Sequence, residues 1–394
     1  MNSRTRIGIG LVSVGWMGRL HSRAYTEVAR HYPELGIDVD LVSAADPVES
    51  GREHATTALG YAEAVADYRE VLADPRIDAV SICSPNFLHR EVALAAAAAG
   101  KHFWIEKPMG RTVDEAADIA RGAVEAGVFT SVGFNYRQAP AVAHARELVR
   151  SGRLGRITNV RVALLADYSS DPDGARTWRF ERAQAGSGVL GDLLAHGADL
   201  AQYVVGRIAE VSGVTETFIA ERPVPAAGAA SHFSRGDASA ERAPVENEDY
   251  AAALARFDNG AIGVLETSRI AVGPHAEYRL EVYGTAGSLR WDFQRLNELQ
   301  LAEGPGGYRT VYAAPGMGEF SRFQPGAGTS MGFDDLKTIE AQLFLRSIAE
   351  QRQLAPSVAD GWSAAAILDA AEATAVSRTW QAVPVVDGPT TFDA

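Results

Sequence analysis

Three polar side chains in two distant segments have the types and spacing needed to handle a proton and a developing charge. Lys107 stands in Glu106-Lys107-Pro108, directly after the apolar run Phe103–Ile105. Asp192 and His196 lie four residues apart in a segment with a helical apolar period, so they share one helix face. A histidine beside a carboxylate can act as a general base, and a lysine can stabilise an oxyanion. Taken alone, Lys107 could equally be a solvated loop residue, and the other two a surface pair.

Alternating strand and helix patterns from residue 6 to 134 must position Lys107. Strands are predicted at Arg6–Val14, Val39–Ala45, Ala79–Cys83, His102–Glu106 and Phe129–Phe134. Helices are predicted at Gly18–Arg30, Tyr68–Ala73, His89–Ala99 and Val113–Ala126. Such alternation predicts a doubly wound parallel sheet, which binds its ligands at the carboxyl ends of the strands. Lys107 should therefore lie at the ligand-binding edge.

The turn after the first strand contains an incomplete dinucleotide fingerprint. The run Ser13-Val14-Gly15-Trp16-Met17-Gly18 matches G-x-G-x-x-G, except that serine stands in place of the first glycine. Gly15 would let the backbone approach a pyrophosphate, and Gly18 would let the helix pack against the strand. The positive end of the following helix favours phosphate. A plain tight turn is the alternative for this run.

Further polar residues follow the later strands at the same edge. Asp46 closes the second strand, where its carboxylate could bind the ribose hydroxyls; Pro47, not an arginine, comes next, which favours NAD over NADP. An Asp-Pro turn is the alternative for this pair. The residues predicted to contact NAD are Ser13, Gly15, Trp16, Met17, Asp46, Ser84, Pro85, Asn86, His89, Glu106 and Lys107.

After Arg137 the pattern changes to strands with period-two alternation. These are predicted at Ile157–Asp167, Glu210–Ala220, Tyr250–Arg256, Ala261–Ser268, Arg279–Tyr283, Ser288–Phe293, Leu299–Ala302 and Tyr308–Tyr312. Helices are predicted at Pro140–Val149, Asp334–Gln351 and Trp362–Thr379. We predict an α/β Rossmann domain over residues 1–134 and an α+β domain with a large open, mostly antiparallel sheet over residues 135–394. Residues 222–247 are predicted to be a surface excursion, and residues 304–332 a long loop that could cover a site.

Composition excludes several classes of partner. The net charge is −13 with no block of Lys or Arg, which argues against nucleic acid or an anionic membrane. No stretch approaches the ~20 apolar residues of a membrane span. The single cysteine, Cys83, suits a reducing cytoplasm. The nine histidines are not paired at ligand spacing, and no metal is predicted.

Several of these motifs together resemble the glucose–fructose oxidoreductase/inositol dehydrogenase (Gfo/Idh/MocA) family. They occur in family order over essentially the whole chain: the fingerprint with Gly18 and His21, Ser84-Pro85-Asn86 with His89, Glu106-Lys107-Pro108, Asn135-Tyr136-Arg137, and Asp192 with His196. The resemblance implies that Lys107 faces the nicotinamide and the substrate and that Pro108 is cis. It also implies a homodimer or homotetramer formed through the outer face of the second sheet.

The activity implied by the resemblance is hydride transfer between NAD and a secondary hydroxyl of a sugar, anhydrosugar or cyclitol. His196 is then the base, Asp192 its orienter and a substrate ligand, and Lys107 the cation beside the alkoxide; Lys107 as the base is the alternative. Substrate contacts are predicted for Lys107, Tyr136, Arg137, Tyr168, Trp178, Arg179, Asp192 and His196. The run Trp178-Arg179-Phe180, followed by Ala185-Gly186-Ser187-Gly188, is most similar to the levoglucosan dehydrogenase branch, whose members oxidise a pyranose C3 hydroxyl.

Two other functions fit the same motifs. Some members of the family are NAD-dependent glycosidases, which oxidise the sugar transiently and would accumulate no NADH. A non-enzymatic NAD-sensing protein on the same fold would bind NAD and turn over nothing. The set of Lys107, Asp192 and His196 argues against the sensor.

Overall fold

A computed structural model describes residues 4–225, 235–237, 239–386, 388 and 390–391 of the 394-residue chain. These residues contain a six-stranded sheet, a nine-stranded sheet and a two-stranded ribbon. The predicted cofactor residues follow strands of the first sheet, and the segment with Asp192 and His196 belongs to the second half of the chain. The candidate site therefore depends on how the two parts meet.

The first sheet has six parallel strands in the order β3-β2-β1-β4-β5-β6. Its strands are β1 (Thr5–Val12), β2 (Ile37–Ala45), β3 (Glu63–Val65), β4 (Ala79–Ile82), β5 (His102–Ile105) and β6 (Thr130–Val132). Its helices are α1 (Trp16–His31), α2 (Glu49–His54), α3 (Tyr68–Ala73), α4 (Asn86–Ala98) and α5 (Val113–Ala126). The strand order reverses between β1 and β4, which opens a ligand crevice at their carboxyl ends. The predicted Rossmann sheet is confirmed. Strand β3 was not predicted, because it is too short to show a strand pattern in the sequence.

The second sheet has nine strands in the order β16-β15-β14-β13-β7-β12-β11-β8-β17. The strands of this half are β7 (Ile157–Ala166), β8 (Ile208–Glu216), β9 (Glu221–Pro223), β10 (Arg242–Pro244), β11 (Tyr250–Phe257), β12 (Ile262–Ser268), β13 (Ala276–Gly284), β14 (Gly287–Asp292), β15 (Glu298–Glu303), β16 (Arg309–Tyr312) and β17 (Gln381–Ala382). Its helices are α6 (Pro140–Arg150), α7 (Arg182–Ala185), α8 (Ala195–Val205), α9 (Phe320–Phe323), α10 (Phe333–Ala349) and α11 (Val358–Ser377). Strands β7 and β12 pair in parallel, whereas their neighbours pair antiparallel. The predicted mostly antiparallel sheet is confirmed.

Helix α10 belongs to the predicted second domain but packs on the sheet of the predicted first domain. Its buried residues Ala341, Phe344 and Leu345 pack in one cluster with Ile9 of β1 and Trp104 of β5. The helix thus covers a face of the first sheet, beside α1. The sequence pattern did not predict this, because an apolar helix face does not indicate which sheet it covers.

The two segments predicted to be irregular contain regular elements where the structure describes them. Residues 304–332 contain β16 and α9, and the ring of Phe323 lies 4.3 Å from the ring of His31 at the end of α1. Of residues 222–247, the stretch 226–234 and residue 238 lie outside the described part of the chain. In the described remainder, β10 pairs with β9.

No helix among the described residues is long and apolar enough to cross a membrane. Within the same residues, no group of three or more His, Cys, Asp or Glu side chains could hold a metal ion.

Candidate active site

The loop after β1 keeps the geometry of a phosphate-binding turn although it begins with serine. Ser13 has a φ of 77°, the left-handed conformation that a glycine would adopt more easily. A Cβ atom on Gly18 would lie 2.1 Å from the Ser13 carbonyl oxygen, so this position requires glycine. A Cβ atom on Gly15 would have no neighbour closer than 4.0 Å, so the space beside Gly15 is open. The loop therefore has room for a pyrophosphate.

The start of α1 leaves its amide groups available to a ligand. Gly15 precedes the helix, no side chain caps it, and its first turn contains no acidic residue. Uncapped amides and the positive end of the helix dipole are suited to phosphate oxygens. Trp16 is 63% exposed and its ring stacks on Phe333 of α10, with ring centres 5.9 Å apart. Met17, in the same turn, is half-buried.

Asp46 links the phosphate loop to the end of β2. Its Oδ2 accepts a hydrogen bond from the Val14 amide at 2.8 Å, and its Oδ1 accepts one from the Val48 amide at 2.9 Å. Each carboxylate oxygen can accept a further bond, so the predicted ribose contact stays compatible with these two. Arg52, which sequence reasoning missed, donates to the carbonyl oxygens of Asp46 and Pro47.

The segment after β4 divides between two surroundings. The Ser84 hydroxyl is buried and has no hydrogen-bond partner within the described residues, as expected of a group that bonds to a bound molecule. Pro85 precedes the first turn of α4. The side-chain amide of Asn86 donates to the Ala185 carbonyl at 2.9 Å, which directs it towards the second half of the chain.

His89 is engaged entirely within the protein. It is 1% exposed, and its ring nitrogens lie 2.9 Å from the Ser84 carbonyl oxygen and 2.9 Å from the Pro108 carbonyl oxygen. These contacts do not support the predicted contact with NAD. His89 instead joins the loop after β4 to the loop after β5.

Glu106 likewise points into the protein, which does not support its predicted contact with NAD. Its Oε1 accepts from His21 Nε2 at 2.9 Å and from Lys337 Nζ at 2.6 Å. Lys337, on α10, also lies 2.9 Å from Glu340. Burial alone would raise the pKa of Glu106, but Lys337 and His21 hold it well below its usual range. The carboxylate therefore neutralises a buried lysine that comes 231 residues later in the chain.

Lys107 and Asp192 meet between the two halves of the chain. Lys107 Nζ donates to the Asp192 carbonyl oxygen at 2.7 Å and to Asp192 Oδ1 at 3.0 Å. The Tyr168 hydroxyl donates to Asp192 Oδ2 at 2.5 Å, and Arg179 Nη1 lies 3.8 Å from Oδ1. Burial would raise the pKa of Asp192, but Lys107 and Arg179 hold it well below the usual range. As the resemblance implies, the peptide bond between Lys107 and Pro108 is cis.

The structure does not support the predicted pairing of Asp192 with His196. Residues Leu190–Leu194 form a π-helical turn before α8, in which the Ala195 amide donates to the Leu190 carbonyl five residues earlier. Across this wider turn the two side chains do not have regular α-helical spacing, and no hydrogen bond joins them in the described residues. Asp192 orients Lys107 instead. A π-turn has no clear sequence signature, and such turns are frequent at functional sites.

His196 lies against aromatic rings, in surroundings that favour its neutral form. It is 8% exposed, and its ring centre is 4.6 Å from that of Tyr136 and 6.2 Å from that of Phe134. Burial, assisted by the positive charge of Lys107, lowers the pKa of His196 well below the ordinary histidine value. The imidazole is therefore in the form that can accept a proton.

Two neighbours in the turn Asn135–Gln138 have opposite surroundings. Tyr136 packs beside His196, with ring centres of Phe293 and Tyr278 at 5.1 and 5.5 Å. Arg137 is 2% exposed and donates to Asp199 Oδ2 at 2.9 Å and to Asp360 Oδ1 at 3.0 Å. The structure therefore does not support the predicted substrate contact of Arg137, because two buried carboxylates hold its guanidinium inside the protein.

The 3-10 turn Trp178–Phe180 forms one wall of a cleft beside Asp192, between the two halves of the chain. The Arg179 guanidinium lies 4.7 Å from the Trp178 ring centre. This wall encloses a small cavity of about 20 Å³, whose lining includes Asn86, Tyr168, Trp178, Arg179, Asp192 and Arg269. Arg269, which sequence reasoning missed, is 3% exposed and donates to Asp249 at 2.8 Å. Polar groups of both halves of the chain thus converge on Asp192.

A larger cavity, of about 340 Å³, is lined in part by Pro108 and Gly191. Its walls come from α5, α7, α11 and the loop after Lys107. Lys107, Asp192 and His196 do not line it. The larger cavity is therefore separate from the group of polar residues that could carry out chemistry.

Two family models match the parts of the chain that form this site. The oxidoreductase family with an NAD-binding Rossmann fold matches residues 7–134, and the GFO/IDH/MocA C-terminal domain matches residues 142–290. The chain belongs to the GFO/IDH/MocA family of NAD-binding oxidoreductases. The family resemblance and the NAD cofactor predicted from the sequence are confirmed.

Particular relatives are sugar and cyclitol dehydrogenases. The chain is 36% identical over 386 residues to levoglucosan dehydrogenase of Pseudarthrobacter phenanthrenivorans, covering 96% of this chain and 99% of that protein. A solved structure of levoglucosan dehydrogenase in complex with NADH and levoglucosan has a TM-score of 0.89 at 35% identity, covering 96% of this chain and all of that one. Inositol 2-dehydrogenase of Rhizobium meliloti is 25% identical, over 93% of this chain and 96% of that protein.

Proposed function

We propose that this protein oxidises a secondary hydroxyl of a sugar, anhydrosugar or cyclitol, with NAD as the hydride acceptor. The observation that carries this proposal is that Asp192 holds Lys107 at the carboxyl edge of β5, where the lysine charge helps to lower the pKa of His196. Similarity to levoglucosan dehydrogenase over nearly the whole chain supports a pyranose or anhydrosugar as the substrate. The C3 hydroxyl as the reacting group follows only from the resemblance of Trp178-Arg179-Phe180 to that branch of the family.

The residues that would hold NAD come from the first sheet. The amides at the start of α1 would bind the pyrophosphate, Asp46 the adenosine ribose, and the unpartnered Ser84 hydroxyl a further polar group. When bound there, NAD supplies the hydride-accepting carbon. The chain itself must then orient the alcohol and remove its proton.

Lys107 and His196 divide the handling of the hydroxyl proton and its charge. The Lys107 ammonium would stabilise negative charge on the reacting oxygen, because Asp192 fixes the position of the ammonium and Tyr168 in turn holds Asp192. Neutral His196 would accept the proton. Proton transfer to Lys107 is the alternative, and it would leave His196 to orient the substrate.

The remaining polar groups of the cleft suit a substrate with several hydroxyls. Asp192 can accept hydrogen bonds, Arg179 can donate them, and the face of Trp178 can stack on a pyranose ring. Directional contacts of this kind select among sugars more strongly than apolar contacts do. This wall should therefore decide which sugar is oxidised.

NADH absorbance with a panel of substrates tests this function. Inositols, anhydrosugars, free hexoses and glycosides are each incubated with the enzyme and NAD, and in parallel with NADP. We expect NADH to accumulate with at least one anhydrosugar or cyclitol, and NAD to be preferred. Hydrolysis of a glycoside without NADH would identify a glycosidase. Binding of NAD with no turnover of any compound would identify a sensor.

We propose further that copies of the chain associate through the outer face of the nine-stranded sheet. Val214, Leu254, Ile262 and Val264 are 60%, 48%, 46% and 37% exposed there, on the neighbouring strands β8, β11 and β12. Apolar side chains grouped on one sheet face are typical of an interface. A homodimer or homotetramer is therefore expected.

Replacing Leu254 with glutamate should weaken this association, because a charge would be buried between two sheets. Size-exclusion chromatography with light scattering measures the mass of the variant. Val124→Glu is the control, since Val124 is 71% exposed on α5 of the first domain. This interface would be excluded if the Leu254→Glu variant formed an assembly of the same mass as the wild type, or if the wild type were a monomer.

The proposed location is the cytoplasm. Cys83 is a free thiol at the end of β4. An unpaired cysteine is compatible with a compartment that keeps thiols reduced.

A further inference from the structure

We infer that Glu248 is a positioning residue, which sets the geometry of Lys107 and Asp192 by capping the π-turn that carries Asp192. Glu248 precedes β11 and touches neither Lys107 nor the side chain of Asp192 in the described contacts. The inference rests on the proposed function, because it assigns Glu248 a part in sugar oxidation.

Glu248 binds the start of the π-turn with both its side chain and its main chain. The Leu190 amide donates to Glu248 Oε1 at 2.9 Å, and the Val189 amide donates to the Glu248 carbonyl at 3.1 Å. A Cβ atom on Gly188 would lie only 2.1 Å from that carbonyl oxygen, so the two backbones are in close contact. Glu248 is 5% exposed, and few other groups can replace its bonds.

The residues on either side hold Glu248 in place and tie it to other walls of the cleft. Asn247, 1% exposed, donates from its side-chain amide to the Arg179 carbonyl at 2.9 Å. Asp249, 0% exposed, accepts from Arg269 at 2.8 Å. Three consecutive buried polar residues thus contact three walls of the cavity around Asp192. This arrangement exceeds what the start of an ordinary strand requires.

The π-turn needs such support because wide turns are rarer than regular α-helix. Each residue of an α-helix advances about 100° around the axis, so a change of one residue in register would redirect the Asp192 side chain. Its oxygens would then leave Lys107 and Tyr168. The Ser187 hydroxyl, which accepts from the Gly191 amide at 2.9 Å, supports the same turn from the other side. Glu248 supplies the cap that belongs to a different element of the fold.

Substitution of Glu248 tests the inference. Glu248→Ala should lower kcat for the oxidised sugar by up to about 10²-fold, the effect of moving a catalytic group by about 1 Å. NADH affinity, measured by fluorescence titration, should not change, because the cofactor residues lie on the first sheet. Glu248→Gln keeps an oxygen acceptor for the Leu190 amide and should retain most of the activity. Glu248→Asp keeps the charge but has a shorter side chain, so its kcat should lie between those of the alanine and glutamine variants. It replaces the alanine variant in the test if that variant does not fold.

Gln202→Ala is the matched control. Gln202 is 1% exposed on α8, and its side-chain oxygen accepts from the Ile208 amide at 3.2 Å, so it makes the same kind of bond at the far end of the same helix. It should reduce stability without lowering kcat or shifting the pH profile of kcat. Glu248→Ala should shift that profile, because the distance between Asp192 and Lys107 changes.

Three results would overturn the inference: wild-type kcat in Glu248→Ala, an equal loss of kcat in Gln202→Ala, or no recovery in Glu248→Gln. A crystal structure of Glu248→Ala with Asp192 Oδ1 still about 3.0 Å from Lys107 would do so without any assay. If the wild-type enzyme oxidises no sugar, the proposed function fails, and the crystal structure alone decides the role of Glu248.

Discussion

Lys107→Ala should lower kcat for sugar oxidation by roughly 10²–10⁴-fold, the range for loss of a group that handles the reacting proton or its charge. The reason is the position of Lys107: its ammonium is fixed by two oxygens of Asp192, and its charge acts on His196. Affinity for NADH should change little, since the amides of α1 and Asp46 are untouched. Steady-state kinetics and a fluorescence titration measure the two quantities.

The control for this variant is Lys101→Ala. Lys101 Nζ donates to the carbonyl oxygens of Asp74 and Ile77 at 2.9 and 2.6 Å, so it is also a bonded lysine, but it lies outside the cleft. Its loss should leave kcat unchanged. His196→Ala should reproduce the loss seen with Lys107→Ala. Near-normal turnover in either cleft variant would refute the assignment of these two residues.

Lys337→Met should have the largest effect on stability, lowering the free energy of unfolding by about 3–5 kcal/mol. Lys337 and Glu340 are 1% and 0% exposed, and Glu106 is 7% exposed. Removal of the lysine leaves the Glu106 carboxylate buried without its cation. Chemical denaturation of the wild type and the variant gives the difference.

Two further variants show whether charge is the cause. Glu106→Gln combined with Lys337→Met removes both charges and should recover much of the loss. Glu340→Gln should cost little at neutral pH, because burial raises the pKa of Glu340 to about 8 and its side chain is then already protonated. The pKa of Glu340 in the folded protein thus lies above its value of 4.5 in the unfolded chain. The stability that protonated Glu340 contributes is therefore present at acid pH and is lost as the pH rises through about 8. If Lys337→Met has the same denaturant midpoint of unfolding as the wild type, the buried charge of Lys337 does not stabilise the protein.

Local sequence patterns predicted the elements that carry the site, because each pattern reflects a local cause. Helix α5 begins where the Thr112 hydroxyl accepts from the Glu115 amide at 3.2 Å, and it ends at Gly127 with a φ of 65°. The strands of the second sheet alternate buried and exposed residues, which gave their bounds to within a few residues. Parallel connections then placed Lys107 at the carboxyl edge, as observed.

Local patterns could not predict which side chains distant in sequence form ion pairs with one another. Glu106 and Arg137 are polar residues in family motifs, so both were assigned to ligands. The structure shows instead that each neutralises a buried charge brought by a later helix: Lys337 on α10 for Glu106, and Asp360 on α11 for Arg137. A polar side chain reveals its need for a partner, but not whether that partner is a ligand or the protein.

The predicted pairing of Asp192 with His196 lacks structural support for a different reason. The prediction assumed regular α-helical spacing, whereas the turn Leu190–Leu194 is π-helical. That turn depends on caps from Glu248 and Ser187, which lie outside it. Helix propensity and apolar period carry no information about such caps.

The ratio of NADH formed to ketone formed tests the central claim most directly. The enzyme is incubated with NAD and the substrate that the panel identifies, NADH is followed by absorbance, and the product is identified by carbon NMR. Oxidation of a secondary hydroxyl predicts a ring ketone in equal amount to NADH, with the sugar skeleton intact. A cleaved glycosidic bond without net NADH, or bound NAD with no product, would contradict the account.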